Sequence, residues 1–276
     1  MIDYAWDQAM SQGPPAAERM ISPWRALRAG VARALSPVRD FLFPPQCLLC
    51  GAPLLDLLPA LCGPCRSGLL PASRDRCERC AAPIGPHLST TAGCVHCRDE
   101  CFAFRRVLAL GVYEGNLRSA ILRGKEPTGA ALVTALTDLL IDTCLGDLLT
   151  EPFDAVVPVP HDWRRRFWRL HSPAETIAHR LAQRLQRRYA PHVLRKPRST
   201  PLQSRTPPAL RRRQQCRAFE VPPVWNLAGA RLLLVDDVLT TGATADAAAA
   251  ALRDRQAADV LVVVLARGIG QARGAP

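Results

Sequence analysis

Four C-x-x-C pairs crowd into 51 residues of this 276-residue chain: Cys47/Cys50, Cys62/Cys65, Cys77/Cys80 and Cys94/Cys97. Such a pair forms a tight turn that aims two sulfurs at one point, and two such turns complete a tetrahedral four-thiolate site. Eleven residues separate the first pair from the second and thirteen the third from the fourth. Pairing in chain order closes the shortest loops. The spacing therefore predicts two structural Zn2+ ions in a tandem of small ribbons, one held by Cys47, Cys50, Cys62 and Cys65, the other by Cys77, Cys80, Cys94 and Cys97. Gly51 suits the turn that curls around the first metal. Cys62-Gly63-Pro64-Cys65 also spells a thioredoxin-type redox tetrapeptide. That chemistry needs a strand delivering the first Cys to a helix N-terminus, and 54–61 is not β-branched. Cys101, Cys144 and Cys216 read as free thiols, with Cys101 near enough to stand in for a ligand. His96 reads as a neighbour of the metal.

Zinc rather than disulfide chemistry fits the expected compartment. The opening Met1-Ile2-Asp3-Tyr4-Ala5-Trp6-Asp7 carries acids where a secretory signal needs positive charge, and no apolar run approaches the roughly 18 residues of a membrane span. A reducing cytoplasm and no membrane span are the expectation. At 48% hydrophobic and 22% charged residues, wholesale disorder is excluded. Residues 1–40 read as a mobile lead-in followed by a basic amphipathic helix, in which Trp24, Leu27, Val31, Leu35 and Val38 recur at helical spacing among Arg25, Arg28 and Arg33. Such a helix suits packing on its own protein, with a membrane surface as the alternative. The ribbons take 41–101, and 102–276 remains for one larger domain.

The formal net charge is +12, and 34 of the 36 basic residues are arginines, Lys125 and Lys196 being the exceptions. Eight thiolates and two Zn2+ would leave about +8. Between Arg164 and Arg217 fifteen Arg and one Lys face one acid, Glu175. A run of that kind lies against phosphates, other anions or solvent. A solvated helical face accounts for part of it, and a phosphate-bearing ligand or nucleic acid for the rest.

From residue 102 apolar strands alternate with helices. Strands are expected at 107–113, 154–159, 231–235 and 260–265, and helices at 117–122, 129–145, 174–189 and 245–255. This is the pattern of a parallel sheet covered on both faces. One strand leads into Asp236-Asp237-Val238-Leu239-Thr240-Thr241-Gly242-Ala243-Thr244 and then a helix. It delivers two acids to the carboxyl edge of the sheet, where open α/β folds bind ligands. Gly242 lets backbone approach an anion, Thr240, Thr241 and Thr244 add hydroxyl donors, and the next helix points free N–H groups at the same place. A phosphate there would leave Asp236 and Asp237 near a sugar's vicinal hydroxyls, an arrangement that suits a ribose 5-phosphate group. No P-loop or Rossmann fingerprint occurs.

Residues 232–244 match the PRPP-binding motif of type I phosphoribosyltransferases. With the four Cys pairs, the chain resembles the ComF family, including GntX-type proteins, over roughly residues 41–268. Supporting pieces are Leu42-Phe43-Pro44-Pro45, Tyr113-Glu114-Gly115 with Leu117-Arg118, Val157-Pro158-Val159-Pro160, and Arg198, Thr200 and Gln203 leading to Ala218-Phe219.

The resemblance implies a type I phosphoribosyltransferase-like α/β domain behind a double zinc ribbon. It also implies a link to DNA uptake in natural transformation or to the use of external DNA. Asp236 and Asp237 would hold the PRPP ribose, and Thr240, Thr241, Gly242, Ala243 and Thr244 its 5-phosphate. Arg164, Arg165, Arg166 and Arg169, in the loop 161–172, would pair with the diphosphate alongside Mg2+. Residues 195–217 would form the loop that closes over PRPP, and Lys125 is a further candidate contact. His161 and His171 are candidate bases. Where the family carries an Arg-Gly-Phe-Asn-Gln run, this chain has Arg169-Leu170-His171-Ser172-Pro173, which removes a glycine approach and adds a proline. PRPP binding is thus the first expectation and phosphoribosyl transfer the second. The competing expectation is a non-catalytic module that binds single-stranded DNA, using Trp163 and Trp168 as stacking rings, or that docks a DNA-uptake or recombination protein.

Overall fold

A computed structural model describes residues 44–54, 60–71, 75–85, 93–160, 171–197 and 218–269. The lead-in and helix expected within 1–43 and the Arg-rich stretch 161–170 lie outside these residues, as does 198–217. The chain divides into two compact units, Met1–Cys65 and Arg66–Pro276.

In the first unit, Gln46 and Pro53 form an antiparallel bridge. The Cys47 N–H donates to Ala52 O at 2.8 Å and the Gly51 N–H to Cys47 O at 2.9 Å. In the second unit Arg76 bridges Pro83, Cys77 N–H reaches Ala82 O at 2.8 Å, and Ala81 N–H reaches Cys77 O at 2.9 Å. The two knuckles are thus copies of one turn. Its left-handed position is filled by Gly51 (φ 74) in the first and by Ala81 (φ 55) in the second. Helix α1 (Gly63–Leu69) follows Cys62 directly.

The second unit is built on a five-stranded, all-parallel sheet. Its elements are β1 (Arg106–Val112), α2 (Gly115–Gly124), α3 (Ala130–Thr150), β2 (Ala155–Pro158), α4 (Pro173–Arg184), β3 (Arg188–Tyr189), β4 (Arg231–Leu239), α5 (Ala243–Asp254) and β5 (Asp259–Arg267). The strand order is β1-β5-β4-β2-β3. Almost every residue of β4 and β5 is buried, so both faces of the sheet are covered, as parallel sheets require. Helix α3 packs against both α2 and α4, and α5 covers β4 and β5. The core lies between sheet and helices, around Leu110, Leu136, Leu140, Ile177, Leu181 and Leu233.

Three expectations are corrected. The helix foreseen over 174–189 stops at Arg184, because Gln186 takes a positive φ of 52 and breaks the screw. Arg188 and Tyr189 then pair in parallel with Ala155 and Val156, adding an edge strand that no two-residue pattern announces. The strand expected to end at Val235 instead runs through both acids to Leu239.

Part of the basic run is tied within this unit. Arg180 makes a bidentate pair with Asp138 at 2.8 and 2.9 Å, and Arg184 reaches Asp138 at 2.8 Å and Asp142 at 3.4 Å. These arginines fasten α4 to α3. Such half-exposed pairs contribute modestly, about 0.2–1 kcal/mol each.

Candidate functional site

The topology locates the site. β4 is followed by α5 and crosses to β5 on one side, while β2 is followed by α4 and crosses to β3 on the other. The connections diverge between β4 and β2, and ligands of open α/β sheets bind outside the carboxyl ends of the strands at such a switch point. Val159 N–H donates to Val235 O at 2.8 Å. The chain entering 161–170 therefore leaves the sheet beside the acid pair.

Successive strand side chains alternate faces, so the two acids differ in surroundings although both are buried, at 8% and 7% exposure. The Asp237 carboxylate meets Lys125 Nζ at 2.6 Å. Lys125 reaches it from the turn between α2 and α3, where the backbone is packed so tightly that a Cβ on Gly129 would lie 2.5 Å from Gly124 O. The next residue, Glu126, offers its carbonyl to His171 Nε2 at 2.9 Å. One turn therefore gathers Lys125, Asp237 and His171, while the other candidate base, His161, falls outside the described residues.

The Asp236 carboxyl lies in the packed interior. Burial, followed by the neighbouring Asp237 charge, pushes it up to about 8. In the folded chain it keeps its proton at neutral pH, while the unfolded chain loses it near the ordinary value of 3.8. The associated stability is complete below about pH 4 and is lost as pH rises through 8. Asp236→Asn removes this titration. Thermal unfolding is expected to show the variant gaining on the wild type between pH 5 and pH 9 by about 4 kcal/mol. A constant difference across that range would count against a protonated Asp236.

The turn beyond the acids is open. Thr240, Thr241, Ala243 and Thr244 are exposed, and Gly242 adopts φ 87 as the N-cap of α5, with no side-chain cap. Thr241 Oγ1 accepts from Ala243 N–H at 3.3 Å. An uncapped helix N-terminus presents unsatisfied N–H groups and a partial positive charge, which is an anion site. By contrast α4 is closed by Ser172, whose hydroxyl accepts from Glu175 N–H.

Sequence reasoning missed three residues here. Arg267, at the end of β5, is 5% exposed. Its guanidinium donates to Leu239 O at 3.1 Å and also to the carbonyls of Thr240 and Gly268, bracing the start of the turn. Its signal was a charge closing a run of seven apolar residues, 260–266. Asp246, in the first turn of α5, accepts from Ala103 N–H at 2.7 Å. Phe102 lies against the bare face of Gly242, where a Cβ would stand 3.0 Å from its ring. Neither of these two has a local signature.

The metal centres follow the predicted pairing: Cys47, Cys50, Cys62 and Cys65 form one group, and Cys77, Cys80, Cys94 and Cys97 the other, with sulfurs within 4.8 Å of one another. Cys50 and Cys62 sulfurs are 3.6 Å apart, as are Cys77–Cys97 and Cys80–Cys94, and Cys94–Cys97 is 3.9 Å. A tetrahedron with Zn–S of about 2.3 Å has edges of about 3.8 Å, so both donor sets fit zinc. Backbone N–H groups of Cys62 and His96 point at Cys47 and Cys94 Sγ, each at 3.4 Å, in the manner of thiolate ligands. Despite burial, which acts upwards, backbone donors bring Cys47 down to about 6, while burial and the neighbouring sulfurs push Cys65 up to about 12. A cation lets all four ionise together. Cys62 does sit at a helix start, but it is one of four converging sulfurs, so a two-thiol redox pair is not what the geometry builds. Cys101 lies outside both groups, and buried Cys144 donates to Ala109 O at 3.8 Å. Among the described residues no helix is long and apolar enough to cross a membrane.

Of the other sequence candidates, Arg164, Arg165, Arg166 and Arg169 lie outside the described residues, as do Trp163, Trp168 and Cys216. Arg195 and Glu220, on either side of 198–217 in sequence, form a two-way backbone bridge, 2.8 Å in each direction.

Residues 38–101 match the family model described as a double zinc ribbon domain. The DNA utilization protein YhgH of Salmonella typhi is 30% identical over 234 residues, covering 81% of this chain and 97% of that protein. Its counterpart from Escherichia coli O6:H1 is 28% identical over 231 residues, with the same two coverages. A solved structure of glutamine phosphoribosylpyrophosphate (PRPP) amidotransferase from B. subtilis, complexed with ADP and GMP, is 19% identical, with a TM-score of 0.38, over 52% of this chain and 30% of that one. The near-complete span of the Salmonella relative at that identity, together with the double zinc ribbon, makes this chain a member of the ComF family, to which the YhgH proteins belong.

Proposed function

We propose that the crevice between β4 and β2 binds PRPP, or a related ribose 5-phosphate ligand, with Mg2+, in a role tied to DNA uptake or to the use of external DNA. The observation that carries this reading is the uncapped start of α5, entered through a left-handed Gly242 directly after a buried acid pair at the topological switch point. The 5-phosphate takes the N–H groups and hydroxyls of Thr240, Thr241, Gly242, Ala243 and Thr244. Asp236 and Asp237 would accept from the ribose hydroxyls. Lys125, which neutralises Asp237, would turn towards the diphosphate. Arg164, Arg165, Arg166 and Arg169, which follow β2 in sequence, would complete the diphosphate subsite. Mg2+ would supply charge neutralisation of the diphosphate as it departs from C1.

Calorimetric titration of the zinc-loaded chain with PRPP and MgCl2 is the direct test. Binding is expected, and Asp237→Asn is expected to weaken it about 10- to 100-fold, the loss of one or two good hydrogen bonds to a charged group. Absence of binding by a folded, zinc-loaded chain would exclude the reading. Catalytic transfer is the further step: pyrophosphate release on addition of candidate bases or nucleosides would establish it, with His171, bonded to the Glu126 carbonyl next to Lys125, a base candidate.

The relatives' name, DNA utilization protein, supports a second reading in which nucleic acid itself is bound. Because Arg180 and Arg184 are occupied by Asp138 and Asp142, that reading falls on Arg164 to Arg166. Binding of labelled single-stranded DNA that weakens with salt, and weakens further on charge reversal there, would favour it.

A further inference from the structure

We propose that the second four-cysteine centre positions the 240–243 turn, with Phe102 as the positioning residue between them. The segment leaving Cys97 is held by Arg79, which donates to Cys97 O at 3.2 Å and Glu100 O at 2.9 Å. Five residues after Cys97, Phe102 packs against the buried cluster of Cys77, Cys80, Ala82, Cys94 and Cys97. The same ring lies where a Gly242 side chain would begin, with its Cε1 and Cζ 3.0 and 3.2 Å from that position. It is fixed from a third side by Phe104, stacked at 4.5 Å between centroids with 13° between planes. The next backbone N–H, that of Ala103, is bonded to Asp246 in the first turn of α5.

A left-handed residue at the start of a helix is easily lost to other conformations. Here one ring, seated on the sulfur cluster, walls the turn in, and one hydrogen bond ties the same segment to the helix behind it. Metal in the second centre gives the ring a rigid seat, because four sulfurs held by one ion cannot drift apart. The second ribbon is thus a working part of the sheet's edge. The consequence for ligand affinity rests on the reading that the turn binds a phosphate ester; the conformational coupling does not.

The test uses the full zinc-loaded chain as wild type, Phe102→Ala, Phe102→Leu, Cys80→Ser and, as control, Val95→Ser, whose side chain is exposed on the same knuckle. Amide hydrogen exchange over 240–247, zinc content and ribose 5-phosphate titration are measured together. Phe102→Ala is expected to speed exchange over 240–247 about tenfold with zinc still bound, Phe102→Leu less, and Val95→Ser not at all. Cys80→Ser loses one ion and is expected to reproduce the Phe102→Ala pattern; should it fail to fold, Phe102→Ala and Phe102→Leu decide. Wild-type exchange in Phe102→Ala overturns the proposal. If exchange responds as expected while wild type shows no affinity for ribose 5-phosphate, the ligand reading fails and the coupling stands. If both hold, ribose 5-phosphate affinity falls about tenfold in Phe102→Ala.

Discussion

Gly242→Val is expected to lower affinity for a ribose 5-phosphate ligand by at least about 100-fold, roughly 2.7 kcal/mol, while both zinc ions remain bound. The residue stands at φ 87, where a β-branched side chain is a genuine outlier. Its new Cβ would begin 3.0 Å from the Phe102 ring, so rotation out of the strained region is blocked on that side. The chain must either carry about 1–3 kcal/mol of backbone strain or move the turn away from the head of α5. Either outcome misaims the N–H groups that would receive a phosphate. Titration with ribose 5-phosphate measures the first effect and thermal unfolding the second. A valine variant that binds normally would remove the turn from consideration as the phosphate subsite.

The second large effect concerns metal. Elemental analysis is expected to find two zinc ions per chain, and chelation to unfold both knuckles, because each has a few short hydrogen bonds and little apolar area of its own. Structural zinc in comparable small sites is bound with about 10–16 kcal/mol of apparent free energy at neutral pH, which is also folding free energy. Cys80→Ser is expected to cost more than Cys50→Ser: the Cys80 thiol is fully buried whereas Cys50 is exposed, so only the latter site can recruit water as a replacement ligand. Since the ligands must be thiolates, metal is released as pH falls. A content of one ion per chain, or two ions retained by Cys80→Ser, would contradict the ligand sets.

Much of the architecture was legible because it is periodic or local. C-x-x-C spacing indicates which sulfurs converge, and runs such as Leu232–Val235 and Val260–Leu265, alternating with helical stretches, read as strands buried on both faces. Acids, threonines and glycine in fixed order announce a strand–turn–helix anion site. What escaped is non-local or too short to carry a period. Arg188-Tyr189 became an edge strand because β2 offered it a free ladder, and the strand outlived Val235 because β5 pairs with it as far as Leu239. The roles of Lys125, Arg267, Asp246 and Phe102 depend on contacts across tens to more than a hundred residues of chain, for which no spacing rule exists.

The sequence by itself determined the inventory: two four-sulfur knuckles, a doubly covered parallel sheet, and a glycine-relaxed turn behind paired carboxylates. Tertiary structure alone decided that the two carboxylates have unlike fates, one salted by Lys125 and the other kept protonated in the interior. It also decided that Arg267 braces the turn and that Phe102 separates Gly242 from the second knuckle. The reason is physical. Residue type and order limit which local conformations are cheap, whereas burial, charge pairing and close packing are properties of neighbours that only the folded chain brings together.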